Sequence, residues 1–237
     1  GNLWSVYNEL DKPDFRERLI QTLKSAALPL TAALETPDTP RMALVHRERQ
    51  KICLLLFLNY LLPNAVPFIN NGMELLETQP MNLGLNNDEN GRFVLAKEDP
   101  MYGKLAFFDN YRLHWLSSEQ EWFRCLLNKA LEIRSDFAEI IKERANLISQ
   151  RGYFNNHHTI FFCYYQPRTR RNLFFLANKN FNEKVAIQLN GLFPEEVLKE
   201  RKNVAWVYTG DKPIGLKWDL YRNRFLNPGE VLIGYLE

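Results

Sequence analysis

Apolar residues recur at helical spacing between Lys12 and Ala27, where Phe15, Leu19, Ile20 and Leu23 share one face behind a Pro13-Asp14 start. Leu28 to Leu34 is a short apolar stretch without helical period, which predicts a buried strand. It ends in Glu35-Thr36-Pro37-Asp38-Thr39-Pro40-Arg41, whose two prolines exclude helix and ladder alike and predict a rigid loop. A second helix is predicted over about Leu44 to Leu61, stopped by Pro63 and Asn64, and Val66 to Asn70 reads as another short strand. Helix, strand and loop, repeated twice, is the rhythm of a parallel α/β sheet. Strands covered on both faces read as continuous apolar runs, as these two do.

Residues 72–117 are long and irregular, rich in Asn, Asp and Gly, and connections of that length in a compact domain are usually functional. Ser118 and Glu121 read as a capping box, followed by Phe123, Leu126, Leu127, Ala130, Leu131 and Arg134 at helical period. A further helical patch is predicted from Ser135 to Ser149. After Gly152 the pattern changes to short strands divided by turn clusters: Ile160 to Tyr165, Leu173 to Ala177, Val185 to Leu189, Val204 to Tyr208 and Val231 to Leu236. Glu195 to Arg201 is the one helix-like stretch among them. The expected organisation is therefore an α/β part over 1–151 and an antiparallel β-sandwich over 152–237.

Composition narrows the class. The 237 residues are 46% hydrophobic and 24% charged, which excludes a disordered segment, a collagen-like chain and a disulfide scaffold. A net charge of +2 gives no electrostatic footprint for nucleic acid, so no nucleic-acid partner is expected. The apolar run around Ile52 to Leu62 is interrupted by Asn59 and Tyr60 and is too short to span a bilayer, so no membrane partner is expected. Cys53, Cys125 and Cys163 are far apart, odd in number and set among apolar or aromatic neighbours. They read as reduced, buried thiols of a reducing compartment, and a cytoplasmic location is expected. No signal-peptide pattern is visible, and the start at Gly1 without Met reads as a processed or cut end.

The candidate chemistry lies in two loops. The first follows the first predicted strand and offers Glu35 and Asp38; the second follows the next strand and offers Glu74 and Glu77. Ligands of barrels and open α/β sheets bind at the carboxyl ends of the strands, and consecutive strands put these loops side by side. Such carboxylates could surround a sugar and stabilise an oxocarbenium-like centre, although Asp and Glu beside Pro and Gly are also ordinary turn residues. The Pro37-Asp38-Thr39-Pro40 frame is stiff, and Arg41 can pair with a nearby acid. Tyr102, Phe107, Phe108, Tyr111, Trp115 and Trp122 are dense enough for a carbohydrate subsite, with core packing the ordinary alternative for each. His114 reads as a satisfied, partly buried histidine rather than a base. His157-His158 lacks a third ligand, so no metal is expected. Arg168, Arg170 and Arg171 read as a charged hairpin tip. No GxGxxG, P-loop, GxSxG or HExxH pattern is present, and no cofactor is expected.

Leu34-Glu35-Thr36-Pro37-Asp38-Thr39-Pro40-Arg41 resembles the fourth conserved region of the α-amylase family of glycoside hydrolases. There an Asn-His-Asp triplet commonly ends the seventh barrel strand; here Thr36 and Pro37 replace Asn and His, as in the maltosyltransferase branch. Val66 to Glu74 resembles the eighth strand with its Gly-x-Glu ending. Gln79 to Leu85 and Tyr102 to Asp109 resemble the bacterial maltodextrin maltosyltransferases, and Asn128 to Arg134 the last barrel helix. The resemblance implies the last two or three strands of a (β/α)8 barrel, which needs roughly 250 residues, followed by the family's C-terminal sandwich.

It further implies a retaining enzyme that passes maltosyl units between α-1,4-glucans, with Asp38 as the transition-state-stabilising carboxylate. Glu35, Thr36, Arg41, Glu74 and Glu77 would be substrate-binding. The family's nucleophile and acid/base belong to strands upstream of those matched, so this chain alone is expected to be inactive. It is expected to need an N-terminal barrel half in cis or trans, and to self-associate through exposed strand edges. A hydrolase of the same family and a non-catalytic carbohydrate-binding or assembly module are the alternatives.

Overall fold

Two short parallel strands and one almost wholly apolar helix organise the first half of the computed structural model, which describes residues 2–115, 118–148, 157–199, 201, 203–210 and 218–237. A one-turn helix α1 (Trp4–Tyr7) precedes α2 (Phe15–Ser25), which buries Phe15, Leu19 and Leu23 on one stripe. Glu17 in its first turn and Lys24 in its last suit the helix dipole. Strand β1 (Leu30–Ala33) then pairs in parallel with β2 (Ala65–Phe68), Leu30 opposite Ala65 and Ala33 opposite Phe68. Asn2 adds an isolated parallel bridge to Thr31. Asn64 takes a left-handed backbone, which asparagine tolerates, and its side-chain amide bonds the Ala26 carbonyl, tying the beginnings of the two strands together.

The single helix expected over Leu44 to Leu61 is broken in two: α3 (Met42–Val45) and α4 (Arg49–Leu61). His46 leaves the helical region and is buried between them, and Glu48 enters α4 in extended conformation. Leu54 to Leu58 of α4 are wholly buried, so this helix is apolar all round and lies inside the protein rather than on it. On one side it meets β1 and β2; on another it meets α5 (Ser118–Asp136), which buries Phe123, Leu126, Leu127, Ala130 and Ile133. Leu131, read as part of that stripe, faces outward. The Ser118 side chain of the expected capping box lies outside what is described. Arg134 donates to the carbonyls of Tyr60 and Ala65, closing the end of α4 and the start of β2.

The helical patch expected from Ser135 to Ser149 is short: α6 (Ala138–Ile141), a 3-10 turn at Arg144–Asn146, then a strand, β3 (Leu147–Ile148). Arg144 draws that turn onto the end of α2, donating to the carbonyls of Leu23 and of Ala26 just beyond it. Ser149 and the boundary expected at Gly152 lie outside the described residues.

Antiparallel strands follow: β4 (Thr159–Gln166), β5 (Arg171–Asn178), β6 (Val185–Gln188), the short helix α7 (Glu195–Leu198), β7 (Asn203–Tyr208), β8 (Trp218–Asp219), β9 (Asn223–Leu226) and β10 (Val231–Leu236). Six form one sheet in the order β3-β4-β5-β10-β7-β8, and β6 and β9 form a second. Side chains alternate across the larger sheet. Phe161, Cys163, Phe174, Leu176, Trp206 and Leu232 face Val185, Ile187 and Leu226 of the smaller sheet. Ile160, Phe162, Tyr164, Phe175 and Ile233 join one continuous core with α4. Both faces are covered, which is why Ile160 to Tyr165 reads as an unbroken apolar run. Tyr164 fastens the contact by donating its hydroxyl to the Leu61 carbonyl at 2.5 Å. Strands β8 and β9 escape a reading by pattern because they are short and lie at sheet edges, with Phe225 exposed. All three cysteines are free; Cys163 is buried, Cys53 half-buried, and Cys125, expected inside, is exposed on α5. Among the described residues no helix is long and apolar enough to cross a membrane.

Candidate functional site

The chain leaving β1 is turned back on itself by Thr39. Its hydroxyl accepts the Thr36 N–H at 2.7 Å and donates to the Thr36 carbonyl at 3.1 Å, closing a tight turn with Pro37 and Asp38 at its tip. Asp38 is thereby held in solvent at the carboxyl end of β1. One of its oxygens accepts the Asn82 side-chain amide at 2.7 Å, and Gly84 packs on its backbone, where an added Cβ would stand 3.2 Å from the Asp38 carbonyl oxygen. Thr36 and Pro37 line a hollow of about 360 Å³ with Asn2, Thr31 and Phe68.

Below this rim lies a buried ion pair. Glu35 and Arg41, both expected at the substrate, are fully buried and meet at 2.7 Å. Glu35 also accepts the Asn70 amide at 2.9 Å and the Met42 N–H at 2.7 Å. Arg41 donates to the carbonyls of Asn71 at 2.8 Å and Gln79 at 2.9 Å. Because Glu35 follows β1 while Asn70 and Asn71 follow β2, the pair locks together the loops leaving both strands. Burial pushes the Glu35 carboxyl above its usual range, against the opposing pull of Arg41, Asn70 and the Met42 N–H. Gly72 closes the second loop with φ +92°; a Cβ there would lie 2.9 Å from Leu113 and 3.1 Å from the Glu77 Cβ, so only glycine fits.

The two remaining expected site residues part ways. Glu74 is half-buried and turns back on its own loop to accept the Gly72 N–H at 3.0 Å. Glu77 is buried; Oε1 accepts the N–H groups of Thr78 and Gln79, and Oε2 meets His114 Nδ1 at 2.8 Å. The other His114 nitrogen faces Asp99 at 3.1 Å, so one imidazole joins the beginning, middle and end of the 72–117 segment. Burial alone would lower the His114 pKa; the Glu77 hydrogen bond and the charges of Glu77 and Asp99 outweigh it and raise the value. Burial likewise works to raise Glu77, and the hydrogen bonds from His114 and the Gln79 N–H bring it below its usual range. Burial, then the Glu77 charge, pushes the Tyr111 hydroxyl up, so it stays protonated. The Gln79 side chain completes the folding of this segment by donating to the carbonyls of Arg92 and Lys104.

The structure thus brings Glu35 and Arg41 into one buried pair, places Asp38 above them on the surface with Thr36 beside the hollow, and builds Glu77 into a separate clamp. Asn70, Gln79, Asn82 and Asp99 complete these arrangements without having been singled out. Isolated Asn, Gln and Asp in a loop give no sequence signal of the long-range partner each one meets. Among the described residues no group of His, Cys, Asp or Glu has the arrangement of a metal site.

No protein-family model matches the sequence, and no curated protein matches it. Solved structures do share its fold. An isomaltulose synthase variant from Erwinia rhapontici NX5, in complex with D-glucose, superposes with a TM-score of 0.61 at 14% identity, over 95% of this chain and 46% of the other. A cyclomaltodextrin glucanotransferase with a three-domain ABC distribution gives 0.60 at 14% identity over 98% and 43%. An α-amylase from Malbranchea cinnamomea gives 0.51 at 12% identity over 98% and 43%. The chain spans less than half the length of each, and at these identities the likeness is one of fold.

Proposed function

We propose that this chain is the closing part of an α-glucan-active enzyme of the α-amylase type, in which residues 1–151 complete a (β/α)8 barrel and residues 152–237 form the C-terminal sandwich. The observation that carries the reading is the position of Asp38. It is an exposed carboxylate on a side-chain-clamped turn at the carboxyl end of a parallel strand, where barrel enzymes keep their chemistry. The three fold relatives named above support it, since each is a carbohydrate-converting enzyme by name.

A second feature agrees. Parallel sheets are ordinarily covered on both faces, yet Thr31, Val66 and Phe68 are exposed on the face of β1 and β2 turned away from α4. Further parallel strands beside β1 and β2 would close that face into a barrel interior.

In the mechanism, Asp38 accepts hydrogen bonds from hydroxyls of the donor sugar. These bonds strengthen as the ring flattens and positive charge develops, so they favour the transition state over the bound substrate. Thr36 and Pro37 border the hollow into which that sugar fits. Glu35 and Arg41 act from beneath as positioning residues, holding the two loops in register. The attacking carboxylate and the proton donor come from strands beyond those described. Thr-Pro-Asp in place of Asn-His-Asp favours passing a maltosyl unit to another α-1,4-glucan over hydrolysis.

The test is to incubate the full-length gene product with maltoheptaose and resolve the products by chain length. A ladder displaced in steps of two glucose units supports maltosyl transfer. Release of glucose and maltose supports the hydrolase, and an unchanged substrate that nevertheless binds supports a non-catalytic carbohydrate module. Maltoheptaose neither altered nor bound overturns the reading.

A further inference from the structure

Phe107 and Phe108 are 51% and 71% exposed, on a hydrogen-bonded turn. The Leu105 carbonyl accepts the N–H groups of Phe108 at 3.0 Å and Asp109 at 2.9 Å, and the Asp109 carboxylate accepts the Leu105 N–H at 2.7 Å. Phe107 N–H donates to the Met81 carbonyl at 3.1 Å, which pins the turn to the segment running over Asp38. The next residue along that segment, Asn82, is the one whose amide meets Asp38. The turn that carries the two rings is therefore tied to the Asn82–Asp38 contact through two hydrogen bonds and one peptide. The rings lie edge to face, centroids 6.4 Å apart and planes at 87°, so together they present a flat face beside an upright wall.

This combination selects its occupant. A pyranose has an apolar C–H face that stacks on an aromatic ring, and an edge of hydroxyls that bonds amides and carboxylates. An apolar peptide or a lipid chain would use the rings and make no use of the polar Asp38–Asn82 pair tied to the same turn. We infer that Phe108, walled by Phe107, is the stacking platform for a glucosyl unit of the α-glucan chain adjacent to the unit held at Asp38. This rests on the α-glucan reading above and adds to it the residue that grips the neighbouring sugar.

The test uses the full-length gene product and maltoheptaose, with affinity measured by calorimetry. Phe108→Ala is expected to weaken binding about tenfold, the loss of one stacked ring, with an unchanged melting temperature. Phe108→Trp is expected to keep the affinity, and its added fluorescence should change on titration with the sugar. Wild-type affinity in Phe108→Ala, or a Phe108→Trp emission indifferent to saturating maltoheptaose, overturns the platform. So does a Phe108→Ala protein that melts several degrees lower at unchanged affinity, since the ring would then be packing against other protein. If Asp38→Asn abolishes turnover while Phe108→Ala binds normally, the platform alone fails. If the wild-type protein binds no α-glucan, the function proposed above fails with it.

Discussion

Replacing Arg41 with alanine removes one side chain and takes a donor from three groups: the buried Glu35 carboxylate, which keeps only the Asn70 amide and the Met42 N–H, and the carbonyls of Asn71 and Gln79. Each abandoned carbonyl costs about 1–3 kcal/mol if nothing replaces the bond. Breaking a buried ion pair by removing one partner costs about 3–5 kcal/mol, because the remaining charge has neither water nor counter-ion. The carbonyls can reach water as their loops loosen, so the ion-pair figure sets the expected loss. Glu35 also gives the variant a signature in pH. Burial already holds its carboxyl above the usual range with Arg41 present, and without Arg41 it rises further. A carboxyl whose folded pKa exceeds its unfolded value favours the protonated fold, so stability falls as pH rises through the folded pKa. Urea unfolding of Arg41→Ala should therefore show the larger deficit at pH 8 and a smaller one at pH 5. The double variant Glu35→Leu/Arg41→Met should recover most of the loss, since an apolar pair needs no partner. A deficit below about 1 kcal/mol at pH 8, or one that is the same at both pH values, would refute the reasoning.

The other expectations are briefer. His114 should titrate above 6.5 by NMR, so the stability it adds to the 72–117 segment is complete below pH 6.5 and is lost as pH rises through its folded value. Limited proteolysis there should accelerate with pH, and titration below 6.5 would refute the clamp. His46 behaves oppositely: burial first, then the Lys51 charge, lowers its pKa from 6.5 to about 4, with Asp11 opposing. Its contribution is complete above pH 6.5 and fades as pH falls toward 4, by roughly 3 kcal/mol in all; a His46→Gln variant with an unchanged acid limb would contradict this. The bare face of β1 and β2 should make the isolated 237-residue chain self-associate, and a monomer at high concentration by light scattering would count against that.

Much of the architecture was legible because it follows from burial patterns that are local in sequence. The two apolar runs before Glu35 and Asn70 became parallel strands, and the stripe from Phe123 to Ile133 became a helix. The strands after residue 152 announced themselves through unbroken apolar runs, which reflect a sheet with both faces covered. The exposed turn that carries Asp38 was legible through the stiff Pro-Asp-Thr-Pro frame, although the Thr39 clamp that closes it was not. What stayed hidden depends on partners distant in sequence. The pairing of Arg41 with a nearby acid was legible, but its burial was not: charged residues usually lie at the surface, and only the Asn70 and Gln79 loops closing over Glu35 and Arg41 make them interior. His46 breaks a helix whose apolar period runs straight through it, because its burial is set by packing rather than by propensity. Cys125 and Leu131 have apolar neighbours in sequence yet lie on the outer side of α5.

The central claim is that Asp38 holds the reacting sugar, and the most direct measurement is the rate of maltoheptaose conversion by the full-length gene product carrying Asp38→Asn. Asparagine keeps the size and the contact with Asn82 but removes the charge that strengthens hydrogen bonding as the transition state forms. The expected result is a loss of about a thousandfold or more in turnover, with sugar binding weakened far less and thermal unfolding unchanged. Turnover within a few fold of the wild type, in a folded protein, would contradict the assignment of Asp38.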